Sequence, residues 1–164
     1  MVLKEIINRR SVREFKAEEV PEKLIEELIK AAQFAPTSRN NRATEFIVIR
    51  NSETKNKLFE IVGQEFVKNA PVLIVVVTDA TKTNQPFQDL SLASQNIFLQ
   101  ATALGLGTVW KNVREEWKNS IIQLLGIPSN YTLVNIIPVG FPKAKSQPHT
   151  DSDFNKKRIH EEKW

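Results

Sequence analysis

Within Arg9-Arg10-Ser11-Val12-Arg13, three guanidinium groups and one hydroxyl fall inside five residues. Arginine donates to phosphate oxygens through a planar fork, and a serine hydroxyl can complete the shell, so the run has the composition of a phosphate site. It also closes a short apolar-periodic segment, Val2, Leu3, Ile6 and Ile7, and a helix dipole stabilises cations at its C-terminus. Two readings therefore stand locally, an anion site and a solvated basic cap. A second polar concentration, Pro36-Thr37-Ser38-Arg39-Asn40-Asn41-Arg42, suits hydrogen bonding to a ligand and equally suits a plain turn. A third is Gly105-Leu106-Gly107, where glycine stops a helix and permits close approach of the backbone.

Other chemistry is excluded by composition. With no cysteine in 164 residues, disulfides, thiolate ligands and thiol nucleophiles are absent, and redox chemistry requires a bound cofactor. His149 and His160 lack metal-ligand spacing, so no metal site is expected. The net charge of +4 is interleaved, as in Glu26-Glu27 with Lys23 and Lys30, and admits a polyanion partner without requiring one. No apolar run approaches the roughly 18 residues of a membrane span; the longest, Ala70 to Val77, reads as a buried strand. The first ten residues carry a helical pattern with dispersed charges rather than a secretory signal, which predicts a cytoplasmic protein. The length predicts one domain over residues 1–164.

These residues must be held by alternating helices and strands. Leu24, Ile25, Leu28, Ile29 and Ala32 form one stripe of a helix beginning at Pro21 and ending before Ala35-Pro36. Phe46 to Ile49 reads as a strand. Ser52 caps a helix running to about Val67. Pro71 to Thr78 is so uniformly apolar that both its faces must be covered, making it a central strand. A central buried helix runs from Gln85 or Pro86 to Leu104, carrying Leu90, Ala93, Ile97 and Ala101. Thr108 to Trp110 is a short strand, Arg114 to Leu125 a helix, and Tyr131 to Val139 the last long strand. Lys143 to Asp153 shows no periodicity, and Lys156 to Lys163 is read as a short terminal helix.

Several motifs then occur in one order. They are Arg-Arg-Ser-Val-Arg-Glu-Phe at 9–15, Ala35-Pro36-Thr37-Ser38 with Asn40, Ala70-Pro71 before an apolar strand, Ala103 to Gly107, Val139-Gly140-Phe141-Pro142, and His160 with Glu162 and Trp164. That series resembles the nitroreductase family of FMN-dependent oxidoreductases over nearly the whole chain. The resemblance implies an α+β fold, a central mixed and mainly antiparallel sheet flanked by helices, assembled as an intertwined homodimer with FMN sites at the interface. Arg9, Arg10, Ser11 and Arg13 match the motif that holds the phosphate and part of the flavin. A cation of Arg10 near the pyrimidine edge would stabilise reduced flavin. Pro36, Thr37, Ser38 and Asn40 match the loop that the partner subunit lays over the flavin.

Gln64 matches an amide near the pyrimidine ring, a contact needing both donor and acceptor. Leu106 and Gly107 match the glycine-rich turn that approaches the flavin, and Lys143, with Lys145 close by, offers a further phosphate contact. Two departures stand out. Arg42-Ala43-Thr44 replaces the family's Gln-Pro-Trp, and Ser152-Asp153 stands about where a basic residue usually precedes the final helix.

The implied activity is ping-pong reduction of a nitroaromatic, quinone or similar small acceptor by NADH or NADPH, with no catalytic side chain, because the flavin carries the electrons. Alternatives are reductive dehalogenation or flavin fragmentation on the same fold, and a non-enzymatic polyanion-binding module. Neither nucleic acid nor membrane is an expected partner. The 2′-phosphate of NADPH would need a cation, and spacing does not choose among Arg39, Arg42 and Lys111.

Overall fold

The computed structural model describes residues 1–164. Its centre is β2 (Val72–Asp79), in which all eight residues are buried. On one side β2 pairs antiparallel with β1 (Thr44–Ile49), and on the other with β5 (Tyr131–Gly140). β5 also pairs antiparallel with β3 (Gly107–Thr108) and β4 (Lys111–Asn112). A parallel bridge from Ser11 to Thr108 makes the edge mixed and carries the arginine segment onto the sheet.

Alternation along β2 feeds two cores, as the covering of both faces demands. Val72, Ile74 and Val76 pack with Ile25 and Leu28 of α2 (Glu22–Gln33) and Leu90 and Ile97 of α5 (Pro86–Ala103). Leu73, Val75 and Val77 pack with Leu58 of α3 (Ser52–Val62), Val67 of α4 (Glu65–Asn69) and Ile121 of α6 (Glu115–Leu125). The N-terminal helix α1 (Lys4–Asn8) buries none of its residues. No helix is long and apolar enough to cross a membrane.

Three expectations are corrected. The helix from Ser52 does not run to Val67: Gly63 adopts φ 66° and caps α3, Gln64 is extended, and a separate α4 follows. The strand predicted over 108–110 is interrupted at Val109-Trp110 into β3 and β4, which keep a single register on β5. The terminal helix predicted over 156–163 is a single 3₁₀ turn at Lys156–Arg158, fully exposed. A short segment with no buried face lacks the tertiary packing that sustains most protein helices.

Candidate functional site

Backbone bonds, more than side chains, position the arginine run. The Arg9 N–H donates to Glu5 O (2.9 Å) as α1 ends. Val12 N–H then donates to Thr108 O (2.9 Å), and Lys16 N–H to Phe141 O (2.8 Å), so residues 11–16 lie along the sheet edge. Extended backbone sends alternate side chains to opposite sides. Arg9 and Ser11 accordingly line one cavity of about 300 Å³ together with Gln95, Thr108, Trp110 and His149. Arg13 is exposed and lines none of the main cavities.

His149, unassigned from the sequence, is held here by its own N–H, which donates to Ile7 O (2.9 Å). Its Nδ1 lies 3.1 Å from Asp153 Oδ2 and 3.4 Å from Arg10 Nη1. Asp153 also accepts from the Thr150 N–H (3.0 Å). That bond first, then the histidine and the nearby Arg10 charge, holds the Asp153 carboxyl below its usual range. With Nδ1–H donated to Asp153, Nε2 is an acceptor in the neutral ring and a donor to an anion only in the ring that carries both protons. Asp153, noted in the sequence as standing where a basic residue is usual, therefore orients a histidine four residues earlier. No local pattern marks His149; the signal is its backbone pairing to α1.

The polar loop lines a second cavity, about 600 Å³, through Pro36, Thr37, Asn40, Arg42 and Thr44. Arg39, Asn40 and Arg42 have φ of 52°, 55° and 50°, a left-handed conformation that costs non-glycine residues free energy and persists only when the surroundings impose it. Asp89, 2% exposed in α5, imposes it. Its Oδ1 accepts from the Ser38 N–H (2.8 Å), and its Oδ2 from Asn41 Nδ2 (3.1 Å) and the Thr83 hydroxyl (2.7 Å). Within the loop, Arg42 Nε donates to Asn40 Oδ1 (3.1 Å) and Arg42 N–H to Thr37 Oγ1 (3.2 Å). Arg42 is thus folded back on the loop, and Ala43 is buried at the start of β1.

The remaining sequence candidates fall elsewhere. Gln64 is exposed at the start of α4, in the helical layer opposite α5, and lines neither cavity. Leu106 is buried in the α2–α5 core. Lys143 pairs through its N–H with Glu14 O (3.0 Å), with its side chain in solvent. Ser38 faces a third, smaller cavity.

Gly107 serves the arginine segment directly. A Cβ there would stand 2.7 Å from Val12 Cβ and 2.8 Å from both Val12 methyls, inside any tolerable contact. Gly107→Ala is expected to destabilise the chain by about 1–3 kcal/mol through overpacking. A double-mutant cycle with Val12→Gly, read by denaturant unfolding, should return a favourable coupling of about 1 kcal/mol or more.

Fold and cavities together define an α+β protein with a recess lined by Arg9, Ser11 and His149. The model of the nitroreductase family matches residues 6–66 and 61–141. A Methanothermobacter thermautotrophicus protein provisionally named NADH dehydrogenase/NAD(P)H nitroreductase is 41% identical, covering 99% of this chain and 87% of its own. One of the same provisional name from Archaeoglobus fulgidus is 38% identical, covering 99% and 98%. A solved FMN-dependent nitroreductase from Clostridium difficile superposes with a TM-score of 0.92 at 34% identity, covering 98% of each chain. The chain belongs to the nitroreductase family.

Proposed function

We infer that this chain is an FMN-dependent oxidoreductase that uses NADH or NADPH to reduce a nitroaromatic, quinone or similar small acceptor. The observation that carries the reading is the Arg9, Ser11 and His149 recess. Its lining holds no carboxylate, and neither the Arg9 guanidinium nor the Ser11 hydroxyl is committed to a partner in the chain, so the donor set fits a phosphate ester. When bound, FMN supplies the centre that takes a hydride from the nicotinamide and passes electrons to the acceptor.

The chain's own part is binding, orientation and charge. Arg9, Ser11 and His149 would hold the phosphate, with Asp153 setting the histidine ring. Arg10 stands beside that ring. Pro36, Thr37 and Asn40 offer a backbone-rigid second wall. The two cavities share no lining residue within one chain, which favours a site completed by a second copy. Exposed apolar side chains support that homodimer: Leu3 at the N-cap of α1 and Ile6 within it, Leu92 on α5, and Phe154, Ile159 and Trp164 on the tail.

The test is uptake of FMN by the purified protein, read from its visible absorption, followed by anaerobic addition of each nicotinamide. Bleaching of a bound flavin band by NADH or NADPH is the expected result. A chain that takes up no FMN overturns the reading. Bound FMN that bleaches yet turns over no nitroaromatic or quinone redirects it to another flavin reaction.

A further inference from the structure

The loop that lines the large cavity has a second face. Ser38 and Arg39 line, with Thr81, Lys82, Thr83 and Asn84, a cavity of about 260 Å³ that contains no apolar residue and no carboxylate. Its hydroxyl hydrogens are already committed: Ser38 Oγ donates to Asn84 Oδ1 (2.8 Å), Thr81 Oγ1 to Asp79 (2.6 Å) and Thr83 Oγ1 to Asp89 (2.7 Å). The hydrogens left for a ligand are those of the Arg39 guanidinium, which has no hydrogen bond or ion pair in the chain, the Asn84 amide and Lys82.

Lys82 Nζ is 3.6 Å from Asp79 Oδ2, too long for a hydrogen bond, while Thr81 supplies Asp79 with both its hydroxyl and its N–H (2.9 Å). The unpaired Arg39 guanidinium and the Asn84 amide, with Lys82 shared with Asp79 Oδ2 because both Thr81 bonds go to Oδ1, suit the doubly charged oxygens of a phosphate monoester. Thr83 and Asn84 also lie just ahead of Gln85, the N-cap of α5, whose N-terminal dipole favours an anion.

The geometry points to this recess as the site for the 2′-phosphate of NADPH, with Arg39 and Lys82 as the residues that distinguish NADPH from NADH. The assignment rests on the nicotinamide-dependent activity proposed above. Of the three cations the sequence left open, the other two are engaged. Arg42 bonds Asn40, and Lys111 lies 4.3 Å over the Trp117 ring, its pKa lowered by burial and then by the nearby Arg114. Arg39 is turned outward by the Asp89-imposed loop conformation, so the preference is built into the backbone.

Two readouts test it. In holoenzyme, 2′,5′-ADP binding by calorimetry and kcat/KM for NADPH and NADH are measured for wild type, Arg39→Ala, Lys82→Ala and the double variant. Each substitution is expected to weaken 2′,5′-ADP and lower kcat/KM for NADPH about tenfold, the value of one charge-assisted bond, with NADH unchanged. An unchanged NADPH-to-NADH ratio overturns the assignment, as does equal loss for both donors. Inorganic phosphate binding as tightly as 2′,5′-ADP overturns it in favour of a general anion site. If neither nicotinamide reduces the bound flavin, the proposed function fails, while the 2′,5′-ADP titration still decides whether the recess takes a 2′-phosphate.

Discussion

Arg9→Glu is expected to yield a colourless protein. Arg9 lines the phosphate recess beside Ser11 and His149, and reversing its charge both removes a charge-assisted donor and sets a carboxylate against the phosphate. Loss of one such bond costs about 1.5–3 kcal/mol, and repulsion adds to it, so FMN affinity should fall by about two to three orders of magnitude. Flavin absorbance after gel filtration and a fluorescence titration of the apoprotein with FMN would measure it. Arg13→Glu is the decisive companion, because it belongs to the same five-residue run but lies in solvent. Its FMN affinity should stay within about threefold of wild type, as for an exposed charge outside the site. Equal loss in both variants would mean that general positive charge, rather than this recess, holds the cofactor.

The second large effect is expected at Asp89. Both of its oxygens accept, Oδ1 from an N–H and Oδ2 from an amide and a hydroxyl. Asparagine is nearly isosteric, yet in either orientation its NH₂ must face a group that only donates. Asp89→Asn should therefore cost about 3 kcal/mol, a fall in Tm of roughly 6–12 °C for a chain of this size. Thr83→Val, which removes one of the three donors, should cost only about 1 kcal/mol. Because three left-handed residues depend on this clamp, Asp89→Asn should also raise KM for the nicotinamide and speed proteolysis between residues 37 and 42. A Tm unchanged by Asp89→Asn would show that the loop holds its shape without the carboxylate.

The same contacts explain how far the chain could be read in advance. β2, α2 and α5 were legible because their apolar spacing is a local record of burial on one face or two. The break after Val62 was hidden because helix periodicity continues through Leu58, Ile61, Val62 and Phe66, while Gly63 enters the left-handed region that only the folded turn reveals. In the candidate site, the resemblance singled out segments but not which of their side chains line a cavity. Leu106 sits within the glycine motif and is spent on the core. The glycine motif does not announce that Gly107 also makes room for Val12, a contact 95 positions away in the chain. His149 was missed because a backbone bond to Ile7, 142 positions earlier, sets its place.

By itself the sequence determined the α+β order of elements, the cysteine-free dependence of redox chemistry on a cofactor, the family, and the three segments that carry its motifs. These depend on residue type and near-neighbour spacing, which chain connectivity preserves. Only tertiary structure decided that Arg9 rather than Arg13 faces the recess, that His149 joins it with Asp153 behind, and that the 36–42 loop held by Asp89 lines two separate cavities. Each is set by contacts between residues distant in the chain: Arg9 and Arg13 have the same parity along the run, so it is the docking of His149 on Ile7 beside Arg9, and not strand alternation, that gives only Arg9 a recess to line.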